Sequence, residues 1–283
     1  MSVRIITDSA SDISQSEARE LGMDVLPLKT IFGEEEFLDG VTIDHATFYN
    51  KLIESDVLPT TSQLSPFDYE QAFRAAVERG EEVVCIVVSS KLSGCFQSAN
   101  IAAEEFDGKI QVVDSRSVAI GERIMVQIAL RARDEGKSAV EIAATLNEAA
   151  EKLRIIALVD TLEYLKRGGR VSSAAAFAGT LLGIKPVIAV EAGEVAILGK
   201  ARGSKNGSNM LMQLVEKNGG INFNLPFALA YSGLDGSMLR KYIADSASLY
   251  EGKTDTLPVH TIGSTIGTHV GPGAIAVAFF SNN

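Results

Sequence analysis

The chain has 283 residues, of which 46% are hydrophobic and 22% are charged. This length favours two lobes, because single hydrophobic cores stop growing at about 250 to 300 residues, and the composition excludes disordered and collagen-like proteins. The net charge of -10 argues against binding to nucleic acids or to anionic membranes, since phosphate contacts rely on clustered lysines and arginines.

The cysteines and the first residues bear on where the protein acts. Cys85 and Cys95 form neither a metal-binding spacing nor a disulfide framework, which favours a reducing compartment. The sequence opens on an apolar, strand-like run without the features of a signal peptide, and it contains no stretch of about 18 apolar residues. We therefore expect a cytoplasmic protein with no stable membrane insertion and no metal site.

The first half of the sequence alternates short apolar runs with amphipathic stretches, which predicts alternating strands and helices. The predicted strands are Val3 to Ile6, Val25 to Ile31, Val83 to Val88 and Lys109 to Val113. The predicted helices are a stretch ending at Leu21, Asp44 to Glu54, Ser65 to Arg79, one beginning near Cys95, Glu122 to Arg133 and Ala139 to Leu153. The run from Val83 is apolar on both faces, so we expect a parallel sheet covered on both sides.

A second alternation of strands and helices follows from residue 154. The predicted strands are Ile155 to Val159, Pro186 to Val190, Val195 to Leu198, Phe227 to Tyr231, Val259 to Ile262 and Ala274 to Phe280. The predicted helices are Leu162 to Arg167, Asn209 to Lys217 and Met238 to Tyr250. The predicted fold class is therefore α/β with two lobes, in which residues 1–153 form a doubly wound, mainly parallel lobe and residues 154–283 form a second α/β lobe.

The most informative candidate site is the loop of residues 89–94 (SSKLSG), which joins a buried strand to a helix. Ligands bind at such strand ends in α/β proteins, and a helix N-terminus with its free amides favours an anion. Ser93 adds a hydroxyl donor, although it would also serve as an N-cap residue. The two roles are compatible.

Two further clusters carry groups that can bind an anion. Thr60, Thr61 and Ser62 are predicted in a loop before a helix, where hydroxyls act either as caps or as ligand-binding groups. His269 is predicted in a glycine-rich loop, residues 266–273, between two apolar strands. Its imidazole would either donate to an anion or bond to nearby backbone. The sequence leaves both alternatives open for each cluster.

Other motifs narrow the range of functions. Asp8, Asp12 and Asp114 follow strands, where capping carboxylates are commoner than catalytic ones. The sequence has no Walker A motif, no GxSxG elbow and no metal-binding histidine pair, and a GxGxxA match at residues 271–276 runs into a strand rather than a helix.

The sequence also contains a cluster of basic residues. This cluster is either a docking face for an acidic partner or for phosphate, or a solvated patch. It comprises Arg167, Arg170, Lys200, Arg202 and Lys205.

Several blocks, taken in their order along the chain, resemble the DegV family over nearly the whole sequence. In the first half they are residues 7–9 (TDS) with Asp12, 59–63 (PTTSQ) with 65–66 (SP), 89–94 (SSKLSG) with 97–99 (QSA), and 113–115 (VDS). In the second half they are residues 160–165 (DTLEYL), 168–170 (GGR), 183–186 (GIKP), Arg202 and 267–273 (GTHVGPG). Each block is weak alone, whereas their order is specific.

The resemblance implies a protein that binds a long-chain fatty acid and has neither a cofactor nor catalytic activity of its own. Characterised members serve as the acyl-carrying subunit of bacterial fatty acid kinase, whose separate catalytic subunit phosphorylates the carboxylate. At the matching positions, the resemblance implies that Thr61 and Ser93 bind the carboxylate and that His269 supports them. The whole expected fatty-acid site comprises Thr60, Thr61, Ser62, Ser93, Gly94, His269 and Phe177.

The expected tunnel runs between and within the two lobes. Residues 172–184 (SSAAAFAGTLLGI) are apolar almost all round, so a helix there would be buried on every side and would form a tunnel wall, with Phe177 shaping its end. Buried methylenes favour binding, and a buried carboxylate needs several donors, which hydroxyls, helix amides and a histidine supply.

The resemblance also implies a docking site for the kinase subunit, because Arg170 and Arg202 match family positions near the head group and on the kinase-facing surface. Three departures stand out: Leu64 where proline is common, Cys95 where a hydroxyl residue is common, and Gly121 in a segment where a second glycine is common. The thiol of Cys95 would either alter the polarity of the head-group site or pack inertly.

The main alternative is an enzyme. A serine hydrolase acting on acyl esters would use Ser93 as nucleophile, His269 as base and a carboxylate such as Asp8. The missing nucleophile elbow counts against this hypothesis.

Overall fold

The computed structural model describes residues 2–171, 183–252 and 254–282. The strands are β1 (Val3–Asp8), β2 (Asp24–Leu26), β3 (Lys29–Phe32), β4 (Glu35–Leu38), β5 (Thr60–Ser62), β6 (Glu82–Val87), β7 (Ile110–Asp114), β8 (Leu153–Leu158), β9 (Ile184–Glu191), β10 (Glu194–Arg202), β11 (Ala228–Tyr231), β12 (Val259–Thr261) and β13 (Ile275–Phe280). The α-helices are α1 (Gln15–Glu20), α2 (His45–Glu54), α3 (Pro66–Glu78), α4 (Cys95–Ala103), α5 (Ile120–Asp134), α6 (Ala139–Lys152), α7 (Glu163–Arg167), α8 (Ser204–Lys217), α9 (Ser237–Asp245) and α10 (Ser264–Val270).

A four-stranded parallel sheet in the order β2, β1, β6, β7 forms the centre of the first half. Residues 83–87 of β6 are buried, as an apolar strand covered on both faces should be. Helix α3 begins with a capping box in which Ser65 and Asp68 bond each other's backbone, followed by Pro66. The predicted parallel sheet and this helix start are both confirmed.

The single strand predicted over Val25 to Ile31 is wrong, because the chain forms two strands there. Strand β2 belongs to the parallel sheet, whereas β3 joins a separate antiparallel sheet in the order β4, β3, β5. Pro27 has no N–H to continue the ladder, and the Leu28 N–H instead donates to the Ser9 hydroxyl at 3.0 Å. The chain therefore changes sheets at residues 27–28.

The second half contains a six-stranded sheet in the order β10, β9, β8, β13, β11, β12, in which β11 and β12 are parallel and the other pairs are antiparallel. Its outer face packs against α8 and α9 through residues such as Leu158, Val187 and Val277. Its inner face, with Ile155 and Ala276, belongs to the hydrophobic core of the first half and contacts α5. The predicted α/β fold class is confirmed.

Two segments predicted as loops form regular secondary structure. Residues 60–62 form β5, which pairs with β3. The predicted glycine-rich loop around His269 is wrong, because residues 264–270 form α10. The Asp39 carboxylate accepts from the Ser264 N–H at 2.9 Å and the Thr265 N–H at 3.1 Å, which satisfies the first amides of this helix from a distant part of the chain.

Within the described ranges, no helix combines the length and the apolar character that crossing a membrane requires.

Candidate functional site

A largely apolar cavity lies between the inner face of the six-stranded sheet and the first half of the chain. It encloses about 950 Å³ of space free of protein atoms, part of it open to solvent. The apolar wall is formed by Ala10, Leu28, Val88, Leu92, Val118, Ala119, Ile155, Ala157, Leu165, Ile188, Ala189, Val190, Val195, Ile262, Ile266, Val270, Ala274 and Ala276.

Small side chains in two central strands leave this space open. Ala157 on β8 and Ala276 on β13 are paired neighbours, and both line the cavity. Side chains on one face of a strand recur every second residue, so Ala274 continues the same row. Larger residues at these positions would fill the cavity.

The polar groups of the cavity come from distant segments. Thr61 on β5 and His269 on α10 both line it, and the Thr61 Oγ1 lies 2.8 Å from the His269 Nε2. Strand β5 is placed by its pairing with β3, and α10 by the hydrogen bonds that its first amides donate to Asp39. The hydroxyl and the imidazole therefore form one hydrogen-bonded unit at the cavity wall.

His269 is neutral at physiological pH. Burial, and secondarily the nearby charge of Arg170, lowers its pKa to about 4. Its Nδ1 is buried and has no hydrogen-bond partner, and a Cβ on Gly168 would overlap with this atom. A buried acceptor without a hydrogen-bond partner costs less free energy than a buried N–H donor without one, so we assign the proton to Nε2. In this tautomer His269 donates to Thr61, whose own hydroxyl proton is free to point at a ligand.

Ser93 lines the same cavity from the loop before α4. Its Oγ accepts a hydrogen bond from the Cys95 N–H at 3.3 Å, and its hydroxyl donates to the Cys95 Sγ at 3.2 Å. A thiol is a weak acceptor, so a carboxylate would readily take over this proton. The N-cap of α4 is Gly94, and a Cβ there would overlap with the Gln63 amide. Gly94 thus lets Gln63 approach the loop and is not itself part of the cavity wall.

Cys95 packs behind Ser93. Its side chain is fully buried, and burial, followed by the charge of Asp8, raises its thiol pKa to about 11. A protonated, inaccessible thiol is unreactive. Of the two roles considered for Cys95, inert packing fits this environment.

Arg170 carries the positive charge of the cavity. Its Nε donates to the Leu92 carbonyl at 3.1 Å and its Nη1 to the Gly168 carbonyl at 2.6 Å. These bonds join the loop that holds Ser93 to the turn that packs against His269. Among the described lining residues, Arg170 is the one with a formal charge at neutral pH, so it would attract an anion to this end.

The structure brings together most, but not all, of the predicted site residues. Thr61, Ser62, Ser93 and His269 line the cavity. Thr60 is exposed and is not among the lining residues, so its role in the site stays a prediction. The prediction for Phe177 and for the apolar segment around it lies outside the described residues.

The two arginines predicted to dock a partner occupy different environments. Arg170 is half-buried in the cavity wall, whereas Arg202 is exposed at the end of β10. Sequence reasoning missed Gln63 and Thr265, which also line the cavity. Gln63 belongs to the sequence block 59–63, which could have pointed to it, whereas no sequence pattern pointed to Thr265.

The three aspartates have structural roles. Asp8 accepts from the Ala10 and Val88 N–H groups, Asp12 accepts from the Gly263 N–H, and Asp114 accepts from the Ser90 and Arg116 N–H groups. This agrees with the capping role favoured from sequence.

The triad required by the alternative hydrolase hypothesis is not assembled. The His269 Nε2 bonds to Thr61, the Ser93 hydroxyl bonds to Cys95, and the Asp8 carboxylate bonds to backbone. A working triad needs a direct bond from nucleophile to base and from base to carboxylate. Across the described ranges, no group of three or more metal-ligating side chains is positioned to hold an ion.

Comparisons with known proteins agree with this architecture. A model of the DegV family, described as uncharacterised proteins, matches residues 2–282. DegV domain-containing proteins of Clostridium perfringens (strain 13 / Type A) and Caldanaerobacter subterraneus subsp. tengcongensis are each 35% identical to this chain. The alignments cover 98% of this chain and 97% and 98% of the two relatives, respectively.

Solved structures have the same fold. A DegV family protein from Thermus thermophilus, described for its fatty acid binding, is 33% identical with a TM-score of 0.86, and the match covers 99% of this chain and 100% of that one. A stearic acid-binding protein from Eubacterium ventriosum is 28% identical with a TM-score of 0.86, over 97% and 96% of the chains. Because the family model and these relatives span nearly its whole length, the chain belongs to the DegV family.

Proposed function

We propose that this protein binds a long-chain fatty acid, with the acyl chain in the apolar cavity and the carboxylate at its polar wall. The observation that carries this proposal is a largely apolar cavity whose wall also holds Thr61, Ser93, His269 and Arg170. Thr61 and Ser93 donate to the carboxylate, His269 orients Thr61, and Arg170 supplies the compensating charge. A buried carboxylate is tolerated only with such partners.

The energetics favour an acyl chain over a smaller anion. Each methylene buried in the cavity contributes about 0.8 kcal/mol, so a dozen of them contribute about 10 kcal/mol before the cost of ordering the ligand. The solved relatives from Thermus thermophilus and Eubacterium ventriosum, described as fatty acid-binding, support this choice.

Lipid extraction tests the proposal directly. Solvent extracts of the purified protein should contain fatty acid by mass spectrometry, and delipidated protein should bind added palmitic acid in a titration. Ser93→Ala should weaken palmitate binding about 10- to 150-fold, because it removes a hydrogen bond to a charged group. Ser90→Ala, an exposed neighbour, is the matched control and should bind normally. Protein that carries no fatty acid and binds none when it is added would refute the proposal.

We further propose that the protein performs no chemistry itself and presents the carboxylate to a separate kinase subunit in the cytoplasm. The unassembled triad and the sequence without a Walker A motif support this division of labour. Arg202 is exposed and lies between Lys200 and Lys205 in an otherwise acidic chain, which suits an acidic docking partner.

A coupled assay separates docking from ligand binding. With a kinase subunit and ATP, Arg202→Ala should lower acyl phosphate formation by tenfold or more while the affinity for palmitate stays unchanged. Arg131→Ala, an exposed arginine on α5, is the control. Equal turnover in the two variants would contradict the docking role of Arg202.

A further inference from the structure

The six-stranded sheet has a gap between two of its strands. Strands β8 and β9 pair at Leu158 with Val187, at Ala157 with Ile188 and at Ile156 with Ala189, and the pairing ends there. Beyond this point β8 continues to Leu153 beside β13, and β9 continues to Glu191 beside β10. The two strands therefore separate next to Ile155 and Val190.

A contact with the first half of the chain holds the separated hairpin in place. The β9–β10 turn contains Ala192 and Gly193, with φ angles of 50° and 86°, and it leaves the sheet toward the loop after β6. There the Ser89 hydroxyl donates to the Gly193 carbonyl at 2.7 Å, and both residues are buried. The gap is thus fixed at both sides, by β13 next to β8 and by Ser89 at the tip of the hairpin.

A second hollow lies on the other side of this gap. It is a surface cleft of about 940 Å³, lined in part by Arg116, Glu151, Arg154, Glu191 and Asn218. The cleft and the apolar cavity share three lining residues, which are Ile155, Ala189 and Val190. These are the residues at the gap, so a polar, solvated space adjoins the apolar cavity there.

We infer that the gap is an opening through which the end of a long acyl chain reaches the surface cleft. This inference rests on the proposed function and specifies the class of fatty acid bound. The class includes fatty acids with a polar group on the terminal carbon, such as ω-hydroxy acids, as well as unmodified chains. In a closed apolar cavity a terminal hydroxyl loses its hydrogen bonds to water. At the cleft it keeps them, through water or through side chains such as Arg154 and Asn218.

A chain-length series on the unaltered protein tests the inference. Plain and ω-hydroxy fatty acids of matching length, from dodecanoic to eicosanoic acid, are titrated into delipidated protein. In short chains the hydroxyl should weaken binding about tenfold or more, since it ends inside the apolar cavity. In chains long enough to reach the gap, the hydroxyl should weaken binding less than about threefold.

The result to compare is the ratio of the dissociation constants of the ω-hydroxy acid and the plain acid of the same length. If this ratio is the same at every length, whether large or near one, the inference is overturned. The plain acids distinguish this failure from failure of the proposed function, because they bind tightly if the cavity holds fatty acids at all.

A variant that closes the gap gives a second test. Val190→Phe should restore a penalty of about tenfold for long ω-hydroxy acids and weaken the longest plain acids. Val259→Phe makes the same substitution at an exposed position on β12, at the opposite edge of the sheet, and should leave the whole series unchanged. If both variants fold and have identical length profiles, the inference is overturned. If Val190→Phe does not fold, the chain-length series on the unaltered protein is the deciding test.

Discussion

Thr61→Val isolates the hydroxyl that we place against the fatty acid carboxylate. Valine has nearly the same shape as threonine, so the packing of β5 is kept while one donor to a charged group is lost. Such a bond contributes about 1.5 to 3 kcal/mol, which corresponds to a loss of affinity of about 10- to 150-fold. The substitution also leaves the His269 Nε2 without its partner at 2.8 Å, which adds a penalty in the free protein as well as in the complex.

Isothermal titration of delipidated protein with palmitic acid measures this loss. Thr60→Val is the matched control, because Thr60 belongs to the same strand but is exposed and outside the cavity wall. The control should bind within about twofold of the unaltered protein, as surface substitutions usually have small effects. Equal affinities for Thr61→Val and Thr60→Val would refute the assignment of Thr61 as a carboxylate ligand.

Three further outcomes follow from buried groups near the cavity. Thr265→Val should raise the free energy of unfolding by about 1 kcal/mol in a denaturant titration, because the buried Thr265 hydroxyl has no hydrogen-bond partner; a loss of stability would contradict this reading. Ala276→Leu should displace about three ligand methylenes, or about 2 kcal/mol, and weaken palmitate binding about 30-fold without unfolding the protein, as titration and thermal melting would show. Burial, followed by the charge of Asp39, raises the pKa of Asp12 to about 8, compared with 3.8 in the unfolded chain. Between pH 4 and pH 8 the folded state therefore binds a proton that the unfolded state has lost. The free energy of unfolding should fall as the pH rises through this range. Asp12→Asn should flatten this fall in melting curves recorded across that range, and an unchanged slope would show that Asp12 does not titrate as described.

The sequence predicts well those elements whose signal is local. The buried strand from Val83 and the capping box at Ser65 depend on neighbouring residues, and both lie where their patterns indicate. The Asx-type bonds of Asp8 and Asp114 are of the same kind. The division of the chain at residue 153 stays a prediction, because core residues from both halves pack into one cluster.

Elements stabilised by distant partners are those that sequence patterns miss. Residues 264–270 look like a glycine-rich loop because the groups that satisfy the first turn of α10 belong to Asp39. Residues 60–62 look like a loop because their strand partner is β3. The same holds for the site, since the contact between Thr61 and His269 joins residues 208 positions apart.

The bonds that hold α10 also constrain when the site can form during synthesis. Asp39 and Asp12 bond backbone groups of Ser264 and Gly263, which follow them by 225 and 251 positions. Both aspartates therefore leave the ribosome long before their partners are translated, and native contacts of such separation form slowly. The first half supplies Thr61 and Ser93, but the carboxylate site lacks His269 until the second half is made. Fatty acid added during translation should therefore stay unbound until residues 263–270 have been joined and have left the ribosome.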